Sequence, residues 1–410
     1  MKLSIFNYTA NNSKKAVIWN TLRGSLIEFD MDYYNRLKNL KFNLIEKKEL
    51  DILKDNGILV DDDVDELNDV LKSREQYIKT SKNKVTFTIA LTQQCNARCY
   101  YCYQASMGFK KTVSSQENYE KIIDFILSNS KNRKIEIIWF GGEPLMKMDA
   151  IDYISNKLLE YKVDFSSSII TNGLLLNKIN INLLKSVWKV KMIQLTFDGL
   201  YERHDKRKNY MSNENVFDNL IQCIEKILEN KIKVDVRINL SKVNYMEADE
   251  IFSYFFTRFK KYKNFVCYYS YIIDDTNKQK FAFTTEEQIN INEQIFKKIS
   301  KYRNFSLPRR RNIFCGVQNN QSFFLDIFGN IYICEHHFWN FDKKIGKISD
   351  FACGKNSEMN IYENLSDKCI NCVFLPVCQG GCVRNQINEC PPYIDNSIKY
   401  INSLLEEVKK

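Results

Sequence analysis

The chain has 410 residues, 44% hydrophobic and 13% aromatic, enough material for two to three domains with a large core. No apolar run approaches about 20 residues and the start, MKLSIFNYTANNSKK, has no signal core, which points to a cytoplasmic protein with no membrane partner. The net charge of +10 is spread along the chain without a basic–aromatic pattern, so nucleic acid is not indicated as a partner; thirteen cysteines in such a chain argue for metal sites over disulfides.

Residues 1–80 read as a module of their own. Lys15 to Asn20 and Ser25 to Phe29 are strand-like runs around Thr21-Leu22-Arg23-Gly24, a hairpin candidate. Helical periodicity follows over Asp32 to Leu40 and Ile45 to Asp55. Asn56-Gly57 stops that helix, Ile58-Leu59-Val60 reads as a short strand, and Asp61 to Asp63 lead a last helix.

From Val85 to about Tyr271 strands and helices alternate, the pattern of a parallel α/β sheet. The strand VTFTIALT delivers a cysteine-rich loop to its C-terminal end, where parallel sheets build their sites. Ser114 to Glu117 reads as a capping box opening a helix that runs to about Asn129. Further strands are expected at Lys134–Phe140, 168–171 and Met192–Phe197, with a helix over Ile179–Trp188. In the strand after the stripe Val216 to Leu228, Val234, Val236, Ile238 and Leu240 take one face and Asp235, Arg237 and Asn239 the other. A polar inner face suits an open, partial barrel holding a polar ligand.

Cys95, Cys99 and Cys102 stand in the spacing C-x3-C-x2-C. Thiolates this close can bind one iron–sulfur cluster, and three of them leave one iron open to another ligand. The loop resembles the signature of the radical S-adenosylmethionine (SAM) superfamily. That resemblance implies SAM chelated to the open iron, with Tyr101 against the adenine. Gly141-Gly142-Glu143-Pro144, directly after a strand, resembles the family's motif for the methionyl amino group. Thr171 and Asn172 resemble its site near the ribose. Arg237, facing the expected lumen, is a candidate for the SAM carboxylate, the alternative being an ion pair with Asp235 or Asp198. Asp198-Gly199 and His204-Asp205 recur in the family without an assigned role.

Beyond Pro308 the cysteines Cys315, Cys334, Cys369, Cys372, Cys378, Cys382 and Cys390 resemble the SPASM domain, which carries two auxiliary four-iron clusters. By that resemblance Cys369, Cys372, Cys378 and Cys390 hold the outer cluster, and Cys315, Cys334 and Cys382 the inner one. Gln321 stands where some relatives have a further cysteine, so the fourth inner ligand is open: Cys353, a substrate thiolate or none. Cys223 and Cys267 read as core, and Arg309-Arg310-Arg311 as an exposed run. Glu335 follows Cys334 where related sulfatase-maturing enzymes have an Asp that acts as general base.

The expected architecture is α/β: a partial (β/α)6 TIM-like barrel over 85–305, a winged-helix-like peptide-recognition module over 1–80, a SPASM domain over 306–395 and a C-terminal helix over 396–410. The expected activity is that of a peptide maturase with SAM and three [4Fe-4S] clusters. One electron, from a donor such as flavodoxin or ferredoxin, cleaves SAM to a 5′-deoxyadenosyl radical. That radical takes a hydrogen atom from a ribosomally made precursor peptide to set a thioether or carbon–carbon crosslink, or another oxidative modification. An anaerobic sulfatase-maturing enzyme, a small-molecule radical SAM enzyme and an iron–sulfur electron-transfer protein are the alternatives.

Overall fold

The computed structural model describes residues 1–80, 83–108, 111–131, 133–212, 215–272, 280–302, 307–318, 321–350, 365–382 and 390–406. Cys353 lies outside the described residues. The N-terminal part runs β1 (Lys2–Leu3), β2 (Asn7–Asn11), β3 (Lys15–Asn20), β4 (Leu26–Asp30), α1 (Met31–Lys38), α2 (Lys47–Asp55), β5 (Leu59–Val60) and α3 (Glu66–Thr80). Strands β2, β3 and β4 form an antiparallel sheet with β3 central, and β1 pairs with β5. Strand β3 is buried on both faces, which is why its run Ala16 to Trp19 is apolar without alternation. Ile18 packs with Leu37, Leu53 and Ile58 beneath α1 and α2. Val17 and Trp19 pack the other way, onto Val377, Ile394 and Ile401 near the C-terminus.

The middle of the chain alternates as its periodicity requires: β6 (Lys84–Ala90), α4 (Gln116–Asn129), β7 (Lys134–Phe140), α5 (Met148–Glu160), β8 (Phe165–Thr171), β9 (Val190–Phe197), α6 (Tyr201–Lys208), α7 (Val216–Glu229), β10 (Lys233–Leu240), α8 (Ala248–Phe259), β11 (Phe265–Tyr271) and α9 (Thr285–Ile299). Strands β6 to β11 lie side by side in chain order and all parallel, the six-stranded partial barrel expected. Ile193, Leu195 and Phe197 of β9 and Val234, Val236 and Ile238 of β10 are fully buried under the helices. Gln194, Thr196, Arg237 and Asn239 take the opposite, lumen face.

Two boundaries differ from expectation. The capping box uses Ser115 and Asn118, one residue later than Ser114 and Glu117. The helix expected over Ile179–Trp188 shrinks to one π-helical turn at Leu183–Val187, because the Asn180 side chain accepts from the Asn182 N–H and holds a turn instead.

The C-terminal part adds β12 (Ser322–Asp326), β13 (Asn330–Tyr332), β14 (Lys344–Lys347), α10 (Asp367–Ile370), α11 (Leu375–Cys378) and α12 (Pro392–Ser403). Strand β12 pairs parallel with β6, and β13 and β14 continue antiparallel, so the barrel sheet reaches nine strands among the described residues. The cysteines near this extension are thereby carried to the open side of the barrel. Among the described residues no helix is long and apolar enough to cross a membrane.

Candidate active site

The cysteine loop leaves the end of β6 and is clamped by its neighbours. Gly142 N donates to Thr92 O at 2.7 Å and Glu143 N to Gln94 O at 2.9 Å. Gly141 has φ +139°, and a Cβ on it would stand 2.6 Å from Thr92 O. On Gly142 it would stand 2.3 Å from Gln94 O. These glycines are required by the close approach of the β7 loop to the backbone that delivers Cys95.

Glu143 is fully buried. Its Oε1 accepts from Thr171 Oγ1 at 2.6 Å and Leu145 N at 3.0 Å, and its Oε2 from Asn172 N at 2.8 Å. The carboxylate thus ties the end of β7 to the end of β8. Burial pushes its pKa up to about 7, against the three hydrogen bonds that favour the anion. Pro144 and Thr171 are buried with it. Asn172 passes the tie on to the cysteine loop: its Nδ2 donates to Asn96 Oδ1 at 2.7 Å and lies 3.6 Å from Cys95 Sγ.

The three thiols are neighbours, each lying within electrostatic reach of another. Burial raises Cys95 to about 11 and Cys99 to about 12, and raises Cys102 as well. Binding a metal centre would hold them as thiolates.

Tyr101, expected against a ligand's adenine, is fixed by its hydroxyl. It donates to the Asp198 carboxylate at 2.9 Å and accepts from Lys208 Nζ and Asn239 Nδ2, each at 2.8 Å. Asp198 is fully buried and Lys208 is 2% exposed. Asn239 is on the polar strand face that the sequence indicated; Lys208 was missed, because Lys206-Arg207-Lys208 at a helix end reads as a solvated cationic terminus.

His204 acquires a role. Its Nδ1 accepts from Asp198 N at 3.2 Å, so Nε2 carries the proton and donates to Tyr210 Oη at 3.2 Å; Tyr210 Oη donates to Asn172 O at 3.0 Å. Burial lowers His204 well below its ordinary range and keeps it neutral for this relay. Asp205 accepts from Val216 N at 3.1 Å in the first turn of α7, whose N-cap is Asn215.

Arg237 Nη2 donates to Ser270 Oγ at 3.0 Å, while its buried Nε finds no hydrogen-bond acceptor among the described residues. The ion pairs that Asp235 and Asp198 do make are with Lys233 and Lys208. The expected alternative, an Arg237 pair with either, is not formed, and the guanidinium keeps capacity for a carboxylate from the lumen.

Cys315, Cys334 and Cys382 line one cavity of about 480 Å³ together with Glu335 and His336. Its other wall is the lumen face of the barrel: Thr86 and Thr88 of β6, Ile138 and Phe140 of β7 and Ile170 of β8. Tyr103 Oη, from the cysteine loop, donates to Glu335 O at 3.1 Å. Gln321 does not line this cavity; its Oε1 accepts from Arg133 Nη1 at 2.6 Å. Burial raises Cys315 to about 11.

Cys369, Cys372, Cys378 and Cys390 form a second group. Burial, with the charges of the other three, pushes Cys378 up to about 12. Ser366 caps the turn that carries Cys369. Cys223 and Cys267 pack against the core instead. In the arginine run Arg309 and Arg310 are exposed, while Arg311 lies over the Tyr393 ring at 5.2 Å.

Residues 89–255 match the radical SAM superfamily. The chain is 22% identical over 342 residues to a cysteine-type anaerobic sulfatase-maturating enzyme of Clostridium novyi, covering 75% of this chain and 90% of that one. It spans about half the length of the GTP 3′,8-cyclases it also matches, 49% in Campylobacter jejuni. Its fold is similar to that of anSMEcpe with bound AdoMet (TM-score 0.58, 18% identity, 78% of this chain and 92% of that one). It is also similar to that of Streptococcus suis SuiB bound to precursor peptide SuiA (TM-score 0.51, 17% identity, 96% and 98%). The cysteine loop on the first barrel strand and the loops that brace it lie within residues 89–255, the part of this chain that matches the radical SAM superfamily, whose members are enzymes that use a four-iron cluster and SAM.

Proposed function

We propose that the protein is a radical SAM peptide maturase with two auxiliary clusters, acting on a ribosomally made precursor peptide. The observation that carries this reading is the cavity of about 480 Å³ shared by the barrel lumen and the thiols of Cys315, Cys334 and Cys382. It offers a peptide side chain a place in the barrel lumen beside a second set of thiols.

Cys95, Cys99 and Cys102 would hold the radical SAM cluster, and Arg237 would meet the SAM carboxylate. Cys315, Cys334 and Cys382 would hold the inner auxiliary cluster, with Cys353 or a substrate thiolate as the remaining ligand. Cys369, Cys372, Cys378 and Cys390 would hold the outer one. The bound groups supply a 5′-deoxyadenosyl radical and an electron sink. Glu335 would take the proton released when the substrate radical forms its new bond. The apolar wall of Ile138, Phe140 and Ile170 would keep water from the radical. Residues 1–80 would bind the leader of the precursor, and a flavodoxin or ferredoxin would supply the electron.

Two features support a peptide maturase over a sulfatase-maturing enzyme. The likeness to SuiB reaches 96% of this chain, against 78% for anSMEcpe. The part in excess corresponds in size to the N-terminal module.

The test is an iron and product count after anaerobic reconstitution. About twelve irons are expected for three four-iron clusters, and about eight in a Cys95→Ala, Cys99→Ala, Cys102→Ala chain, with 5′-deoxyadenosine formation abolished. Co-expression with the short reading frames beside the gene should yield a peptide lighter by two hydrogens per bond formed. Release of 5′-deoxyadenosine by the triple variant would sink the assignment.

A further inference from the structure

Lys208 ends α6 with 2% of its surface exposed. A buried ammonium is costly unless it is paired and hydrogen-bonded. Asp198, fully buried, supplies the charge partner at 3.4 Å, and Nζ also donates to Tyr101 Oη at 2.8 Å and Thr196 Oγ1 at 2.7 Å. Burial alone would pull its pKa down, yet the charges around it, Asp198 first, leave it raised.

The same residue holds the cysteine loop from the other side. Arg98 N donates to the carbonyls of Lys208 and Asn209, each at 3.0 Å, and Met211 N donates to Asn96 O at 2.8 Å. Ala97 and Tyr210 form an antiparallel bridge. Residues 208–211 therefore clasp the stretch between Cys95 and Cys99. The Lys208 side chain reaches Tyr101, between Cys99 and Cys102. Its carbonyl, its ammonium and its partner Asp198 all act on one loop.

We propose that Lys208 is a positioning residue of the radical SAM centre: it locks the cysteine loop through Tyr101 and Asp198, and its fixed positive charge raises the reduction potential of the cluster that the loop holds. Reduction adds a negative charge to the cluster, and a desolvated cation beside it stabilises that form more than water would. The inference rests on the family assignment of the loop and not on the identity of the peptide.

The test uses the reconstituted holoenzyme and a potentiometric titration followed by electron paramagnetic resonance, on the signal that SAM perturbs. Lys208→Met should shift the one-electron equilibrium about tenfold away from the reduced form, about 59 mV. Lys208→Arg should restore the potential. Lys208→Met with Asp198→Asn removes both charges and should titrate above the single Met variant. A Lys208→Met enzyme with native circular dichroism, a SAM-perturbed signal and the wild-type potential would overturn the proposal. Should that variant hold no such cluster, Lys208→Arg decides: it must keep both cluster and potential, and loss of either overturns the proposal. A wild-type chain without the signal would overturn the cysteine-loop reading and this inference with it.

Discussion

At Glu143 burial and hydrogen bonding pull in opposite directions, and burial wins. The carboxyl sits at about 7 in the fold against 4.5 in a free chain. The folded state therefore binds the proton more tightly, so the group's contribution is fully present below pH 4.5 and is lost as pH rises through about 7. The difference is on the order of 3 kcal/mol. The urea midpoint of the cluster-free protein should fall across this window, and that of Glu143→Gln should fall less; parallel curves would remove the effect. Glu335 is testable through chemistry. Glu335→Gln should still cleave SAM, while product falls about a hundredfold or more if the carboxylate is the base. An unchanged product yield would take Glu335 out of the site. At this scale the cysteine loop stood out because C-x3-C-x2-C is a spacing that lets three thiolates share one cluster. Lys208 did not, because a lysine buried by tertiary packing carries no local mark; His204 stood out in the sequence, but its role did not, since that role depends on Asp198, Tyr210 and Asn172 meeting it in the fold.

Among the elements, the barrel strands were legible because each buries one face under a helix and turns the other inward. Strand β2 was not. Its sequence, Asn-Tyr-Thr-Ala-Asn, is polar and half-exposed, and only pairing with β3 makes it a strand. Finding β2 makes β4 one edge of the sheet and fixes which residues point outward. Asn20 N donates to Ser25 O and Met31 N to Lys14 O, so Ile18 and Ile27 form a bonded pair between them. Ile27, the obvious place to test strand addition by a leader peptide, therefore spends its N–H inside the sheet. Glu28 turns its N–H outward. If the leader adds a strand at this edge, Glu28→Pro should weaken its binding about fivefold by removing one backbone donor, and Glu28→Ala should not. Ile27→Pro should instead destabilise the module. Equal leader affinity in Glu28→Pro and wild type, measured by fluorescence anisotropy, would exclude strand addition at β4.

On the scale of the whole molecule, the N-terminal sheet is part of the housing of the outer cysteine group. Trp19 is fully buried, with its ring 5.9 Å from Phe374, and Tyr8 lies 5.2 Å from the same ring. Thr21 Oγ1 donates to Val373 O at 2.5 Å, and Asn12 Nδ2 to Leu405 O at 2.7 Å. Val373 and Phe374 immediately follow Cys372, and Cys378 belongs to the same apolar cluster as Val17 and Trp19. From α3, Arg74 Nη1 donates to Gln379 Oε1 at 3.3 Å, one residue past Cys378. Removing residues 1–80 would expose this cluster and leave the loop that bears Cys369, Cys372 and Cys378 without its packing wall. On the proposed three-cluster reading, the truncated chain should therefore lose about four of about twelve irons, those assigned to Cys369, Cys372, Cys378 and Cys390, while the cysteine loop on β6, braced within the barrel, keeps its own. Trp19→Ala tests the same contact in the full chain. It should cost about 3–5 kcal/mol, felt first as earlier loss of the outer cluster's iron in urea. A truncated chain that retains every iron of the intact protein would show that the sheet merely rests on the cluster loop. Loss of iron on truncation would tie leader recognition to the auxiliary centre by linkage: whatever docks on β4 would then favour the folded, metal-loaded loop, and loading the loop would tighten the docking in the same ratio.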